Sequence, residues 1–218
     1  FIISLSPVTI LPILDASRSL NMINGEKMTS DNQVDYGPLK NFSGKWEGHQ
    51  GIDIAPEPDG EENNPYYETI IYEDIGSLAN AEEQQLAAVY YHQVVRRKSN
   101  DEVFHNQTGY WIWDAKNETI MHSFVIPRAV SVVAGGKYNG ETDADGHAVL
   151  NLSAKLGDPD WGIIQSPFMS KKASSLEFRQ NVITGNDKLV YAQTTLVDIY
   201  GKVFEHTDNN ELNRVQTT

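Results

Sequence analysis

From residue 43 onward apolar and polar positions alternate with a period of two, and no stretch carries helical spacing for more than about one turn. The segments 67–73 (Tyr-Glu-Thr-Ile-Ile-Tyr-Glu) and 189–196 (Leu-Val-Tyr-Ala-Gln-Thr-Thr-Leu) are rich in β-branched and aromatic residues, as half-buried strands require. The alternation predicts strands over 43–54, 66–76, 86–98, 103–114, 118–126, 130–138, 147–156, 174–183, 188–200 and 210–216. Turn-forming residues separate several of them, at Gly135-Gly136, Asp145-Gly146 and Gly185-Asn186-Asp187. About ten strands joined in meander order by short connections predict an all-β protein, an antiparallel up-and-down barrel rather than a sandwich. A barrel of that size is wider than its own side chains can fill, so a ligand cavity is expected inside.

The barrel is expected to occupy residues 36–218 and to open with a short helical turn in Tyr36-Gly37-Pro38-Leu39-Lys40-Asn41-Phe42. Residues 1–35 read as an N-terminal extension, disordered or not native. Within it Phe1 to Leu14 is apolar but broken by Pro7 and Pro12 and too short to span a bilayer. That points to a cytoplasmic protein, although the apolar stretch leaves export open. Three connections read as long loops: 55–65, 77–85 and 157–173. The last carries Trp161, Ile163, Ile164, Phe168 and Met169, so it either caps the barrel mouth or packs on the outer wall.

Composition narrows the chemistry. A formal net charge of -13 with no concentrated basic face argues against nucleic acid and against an anionic membrane surface as partners. The absence of cysteine excludes disulfides, thiolate catalysis and Cys-ligated metal centres. Nucleophile elbows, phosphate-binding loops, dinucleotide fingerprints and His-Glu-x-x-His zinc motifs are missing as well. Glu57, Asp59, Glu61 and Glu62 lack calcium-loop spacing and read as a solvated loop.

Six histidines remain. His49, His92, His122 and His147 fall inside strands, where an exposed or hydrogen-bonded ring is the ordinary outcome. His105 begins a strand in Phe104-His105-Asn106-Gln107-Thr108-Gly109-Tyr110-Trp111. His206 follows the strand 188–200 and precedes the closing one. Spacing alone leaves both open between a structural role and a metal ligand at the barrel rim, with one imidazole nitrogen on the metal and the other held by a carboxylate or carbonyl.

The order of motifs resembles the nitrobindin family, the haem-binding β-barrel domain that also occurs attached to THAP-type proteins. Gly37-Pro38-Leu39 leading into Gly44-Lys45-Trp46-Glu47-Gly48 is similar to that family's opening, whose glycine signature is Gly-x-Trp-x-Gly-x-Gly. Here the third glycine arrives one residue late, at Gly51, which marks a divergent member. Tyr67 to Gly76 resembles the family's second strand. His105, four residues before Gly109-Tyr110, is similar to a histidine on the open, distal side of the haem. His206 resembles the proximal histidine that ligates iron.

The resemblance spans residues 36–216. It implies a ten-stranded barrel of the lipocalin and fatty-acid-binding-protein form, holding ferric haem b near one opening. It further implies His206 as the metal ligand, His105 as the distal and catalytic residue, and Trp46 and Gly48 among the residues that bind the cofactor. Family members bind nitric oxide, and some are credited with isomerising peroxynitrite to nitrate, so peroxynitrite isomerase activity is an implied function. Asp208 or Thr207 would orient the second nitrogen of His206. The alternative is a haem-free carrier of a fatty acid or another small apolar molecule.

Overall fold

The computed structural model describes residues 34–216. The N-terminal extension expected over 1–35 lies almost wholly outside them. A 3-10 turn, Gly37–Asn41, leads into eleven strands and one short helix. In chain order these are β1 (Gly44–Glu57), β2 (Gly60–Asn80), β3 (Gln84–Arg97), β4 (Val103–Asp114), β5 (Thr119–Ile126), β6 (Val130–Lys137), β7 (Ala148–Leu156), β8 (Gly162–Gln165), α1 (Pro167–Lys172), β9 (Ala173–Thr184), β10 (Lys188–Ile199) and β11 (Lys202–Arg214). They close into a barrel in which β1 pairs with both β2 and β11, and every neighbour in the wall follows chain order except β8. That short strand lies between β6 and β7, antiparallel to the first and parallel to the second. Among the described residues no helix is long and apolar enough to cross a membrane.

The expected up-and-down barrel is what forms, with three local corrections. First, the stretches 55–65 and 77–85, expected as loops, are mostly strand. β1 and β2 run on as one long hairpin in which Ala55 pairs with Glu62 and Glu57 with Gly60. β2 and β3 likewise stay paired out to Asn80 and Gln84. Their charged residues are tolerated because these hairpin ends lie at the rim of the barrel, where most of them reach water.

Second, Gly135-Gly136 is not a turn but lies inside β6. A Cβ on Gly135 would stand 2.4 Å from the Trp161 ring, and one on Gly136 would stand 2.0 Å from the Asn151 carbonyl oxygen. The pair is glycine because an aromatic ring and a neighbouring backbone approach there. Third, the closing strand begins at Lys202 rather than 210, so His206 and the polar residues after it are strand, each paired across to β10.

The late arrival of Gly51 also finds its structural cause. The registers of β1 with β2 and with β11 both slip between Gly48 and the 51–52 region, so His49 and Gln50 form a β-bulge. The bulge absorbs the extra residue and returns the strand to its inward alternation.

One end of the barrel is plugged. Leu39 and Phe42 of the 3-10 turn are buried against Trp46, Tyr72 and Trp111, with the Phe42 ring 5.0 Å from Tyr72 and 5.1 Å from Trp111. Trp46 Nε1 donates to the Phe42 carbonyl at 2.7 Å. Arg214, at the end of β11, lies 4.3 Å over the Trp46 ring and donates to the carbonyl of Asn41 at 2.7 Å. The turn thus closes this end, and the interior is accessible from the other.

Candidate functional site

A cavity of about 380 Å³ opens at the unplugged end. Phe104, Phe124, Val132, Ile163, Phe178 and Val197 give it apolar wall, Asp53, Asn64, Gln107, Gln193 and Asp208 add polar lining, and its mouth carries Arg97, Arg128 and Tyr200. The segment 157–173, expected as a loop that caps the mouth or packs on the outer wall, instead holds a strand of the wall and a short helix. β8 builds the wall, while Met169 of α1 lines the cavity mouth.

His105 and His206, predicted from opposite halves of the chain, line this same cavity. β4 carries the first and β11 the second, and the closed sheet brings both open-end strand termini together. Trp46 and Gly48 are not among the lining residues. Trp46 is fully buried at the plugged end, and Gly48 lies where β1 approaches Asn210.

The second nitrogen of His206 is held by neither Asp208 nor Thr207. Its Nε2 donates to Asp53 Oδ1 at 2.6 Å, from β11 across to β1, and its Nδ1 makes no hydrogen bond among the described residues. Asp53 is buried and also accepts from Asn64 Nδ2 at 3.0 Å, which fixes the carboxylate in place. Asp53 escaped the sequence reading because Ile52 and Ile54 flank it. The signal was its parity, since alternation puts it on the inward face with Gly51.

Beneath the cavity lies a polar cluster without precedent in the sequence reading. Glu68, only 1% exposed, accepts from Tyr191 OH at 2.9 Å, from Asn210 Nδ2 at 2.7 Å and from Gln93 Nε2. Tyr66 OH lies 2.7 Å from Tyr191 OH and donates to Asp208 Oδ1. The two tyrosines therefore bridge two carboxyl groups. The glycines of β1 make room for this cluster: a Cβ on Gly51 would fall 2.1 Å from the Tyr66 ring, and one on Gly48 would fall 2.5 Å from the Asn210 amide nitrogen.

Burial governs the ionisation of these groups. It raises Glu68 above the usual carboxylate range, against the pull of its bonds from Gln93, Asn210 and Tyr191. It raises Asp208 well above that range, opposed by the Tyr66 hydroxyl and reinforced by the charges of Glu68 and Asp53. Burial also lowers His105, with the Gln107 hydrogen bond pulling the other way. His105 is accordingly a neutral imidazole at neutral pH.

A wider cleft of about 900 Å³ lies at the plugged end, lined by Lys40, Trp113, His147, Asn186 and Lys188 among others. Nearby, Asp143, Asp145 and His147 cluster in the loop before β7. The Asp143 carboxylate is already engaged there, accepting from the backbone N–H groups of Asp145 and His147.

Comparison with known proteins bears on the cavity. A family model described as a THAP4-like, heme-binding beta-barrel domain matches residues 35–214. The chain belongs to this family. It is the nitrobindin-like family that the ordered motifs resembled, and haem binding is the property by which it is described. Among solved structures the barrel is similar to Rv2717c from M. tuberculosis, with a TM-score of 0.59 and 17% sequence identity over 82% of this chain and 95% of that one. At that identity the likeness speaks for the fold. No curated protein matches the sequence.

The donor set of this family member suits the cofactor. A flat apolar macrocycle needs apolar walls, a neutral nitrogen donor, and cations near the mouth for its carboxylates. Phe104, Phe124 and Phe178 supply the first and Arg128 the last, while Arg97 is already paired with Glu62 at 3.2 Å. His206 offers one ring nitrogen to a metal while Asp53 holds the other, the arrangement that fixes ring orientation and raises ligand basicity.

Proposed function

We propose that this protein binds haem b in the open-end cavity through His206, with His105 on the other side of the bound group, and that it binds nitric oxide or isomerises peroxynitrite to nitrate there. The observation that carries the reading is the Asp53-held imidazole of His206 inside a phenylalanine-walled cavity that also contains His105. Bound haem would supply an iron site able to take a diatomic or nitrogen-oxide ligand. The chain's own residues do the remaining work. Asp53 orients His206, the phenylalanine walls exclude water, and His105 presents a neutral imidazole to the ligand side. Isomerisation suits a site of this size, because peroxynitrite and nitrate have the same atoms and charge and the reaction needs no co-substrate.

Titration of the purified protein with haemin tests the reading. A Soret band saturating at one equivalent in the wild type, and lost or displaced in His206→Ala, is the expected result. An unchanged spectrum in that variant removes His206 as the ligand.

A second reading has its own support. Arg128 at the mouth of a phenylalanine-walled cavity also suits a carboxylate-headed apolar molecule such as a fatty acid, bound without iron. A protein that refuses haemin and releases lipid on solvent extraction would favour it.

A further inference from the structure

His122, the most deeply buried histidine, touches neither the cavity nor solvent. It is the middle link of a chain of side chains that crosses the barrel interior. His105 Nε2 lies 3.2 Å from Gln107 Oε1, and Gln107 Nε2 donates to Tyr91 OH. Tyr91 OH lies 2.7 Å from His122 Nε2, and His122 Nδ1 lies 2.9 Å from Gln180 Oε1. Gln180 Nε2 donates to Gln193 Oε1 at 3.2 Å, and Gln193 Nε2 donates to Asp208 Oδ2 at 3.1 Å. These links run without a break from β4 through β3, β5, β9 and β10 to β11.

Such a chain has two self-consistent directions, and its far end selects one. Asp208 meets Tyr66 at Oδ1 and Gln193 at Oδ2, so whether ionised or with its proton held at Oδ1 it accepts the Gln193 amide nitrogen at Oδ2, and each amide turns its oxygen toward the link before it. Gln180 then presents an oxygen to His122, which places the ring proton on Nδ1 and leaves Nε2 to accept from Tyr91. The Tyr91 oxygen in turn accepts from Gln107, whose own oxygen faces His105. Only a protonated Nε2 on His105 satisfies that last contact. Burial pushes the His122 imidazolium down to about 3, so the middle link stays neutral and the direction persists over the physiological range.

We propose that this chain fixes His105 as its Nε2–H tautomer, with His122 the positioning residue that transmits the choice across the barrel. The Nε2 proton of His105 is engaged by Gln107, so the only polar atom the ring has left is the Nδ1 lone pair. The neutral side chain accepts a hydrogen bond from an occupant of the cavity and cannot donate one. Resting on the haem reading, this selects among ligands: a protonated nitrogen oxyacid or a water gains a hydrogen bond to His105, whereas bare nitric oxide gains none.

The tautomer can be read without haem, so failure of the cofactor reading leaves the test intact. In apoprotein labelled with ¹⁵N-histidine, long-range proton–nitrogen correlation spectra report which nitrogen of His105 carries hydrogen. The wild type is expected to show Nε2–H. In Gln180→Leu, His122 loses the acceptor for its Nδ1–H and does better with the proton on Nε2, because a buried orphan donor is costlier than an orphan lone pair. Tyr91 OH then turns to Gln107, the amide flips, and His105 switches to Nδ1–H although nothing beside it has changed. His122→Phe keeps a ring on Trp111 and frees Tyr91 in the same way, with the same switch expected. A switch in either folded variant supports the proposal. Retention of Nε2–H in both, or a wild type that exchanges between tautomers, overturns it.

Discussion

Asp53 Oδ1 stands 2.6 Å from His206 Nε2, joining the first and last strands of the barrel across 153 positions of sequence. The contact exists only because β11 returns to pair with β1 and close the sheet, with Asp53 opposite Asp208 in the register. A ring held in this way by a buried carboxylate is oriented before any ligand arrives.

Asp53→Asn should therefore weaken haemin binding by roughly 10–100-fold without unfolding the barrel, the usual cost of losing a carboxylate behind a metal-ligating histidine. Haemin titration followed at the Soret band, alongside circular dichroism to verify the fold, measures it. Wild-type affinity in this variant would mean that Asp53 does not orient the ligand.

His122 makes stability depend on pH. Its imidazolium titrates near 3 in the folded chain against about 6.5 in an unfolded one, so between these values the unfolded state binds the extra proton. The stabilisation is complete above pH 6.5 and is lost as pH falls toward 3, by about 4–5 kcal/mol at the acid limit. Urea unfolding between pH 4 and 7 should show this slope in the wild type and a flatter one in His122→Phe.

Glu68 acts in the opposite direction. Its folded-state value is raised by burial, so the folded protein holds a proton that the unfolded chain has released. Stability from this group falls as pH rises above the ordinary carboxylate value of 4.5. Glu68→Gln should remove that decline, and the same urea series extended to pH 9 would reveal it. An identical slope in both proteins would mean that Glu68 ionises as freely when folded as when unfolded.

Gly51→Ala should destabilise by ~1–3 kcal/mol, the range for forcing a methyl group into a packed interior. The added carbon would fall on the Tyr66 ring, which cannot move without straining its bonds to Asp208 and Tyr191. Gly60→Ala is the control, since a methyl group there meets open space. Equal stability losses in the two variants would contradict the packing argument.

Much of the architecture was legible in the alternation. Tyr66, Glu68, Ile70 and Tyr72 share one parity of β2 and are all buried, and the intervening residues are more exposed. Gln93, Gln107, His122 and Gln180 obey the same parity and sit at inward positions, yet nothing in the alternation singled them out as a network. The partners of such a polar residue lie on other strands, and their identities are not local information. At Gly135-Gly136 and in the long β1–β2 and β2–β3 hairpins, glycine and charge mimic turn chemistry in the sequence. In the barrel they answer to a neighbouring backbone and to strand ends that extend beyond the core.

By itself, then, the sequence determined a barrel, the short helical turn over 36–42 that leads into it, and the candidacy of His105 and His206, since each depends on periodicity or on a short ordered motif. Closure of the sheet decided the rest. It set Asp53 behind His206, brought both histidines to one cavity, left Trp46 and Gly48 outside it, and aligned the hydrogen bonds from His105 to Asp208. Hydrogen bonds of this kind form between residues far apart in the chain, and only strand register places their atoms within about 3 Å of one another.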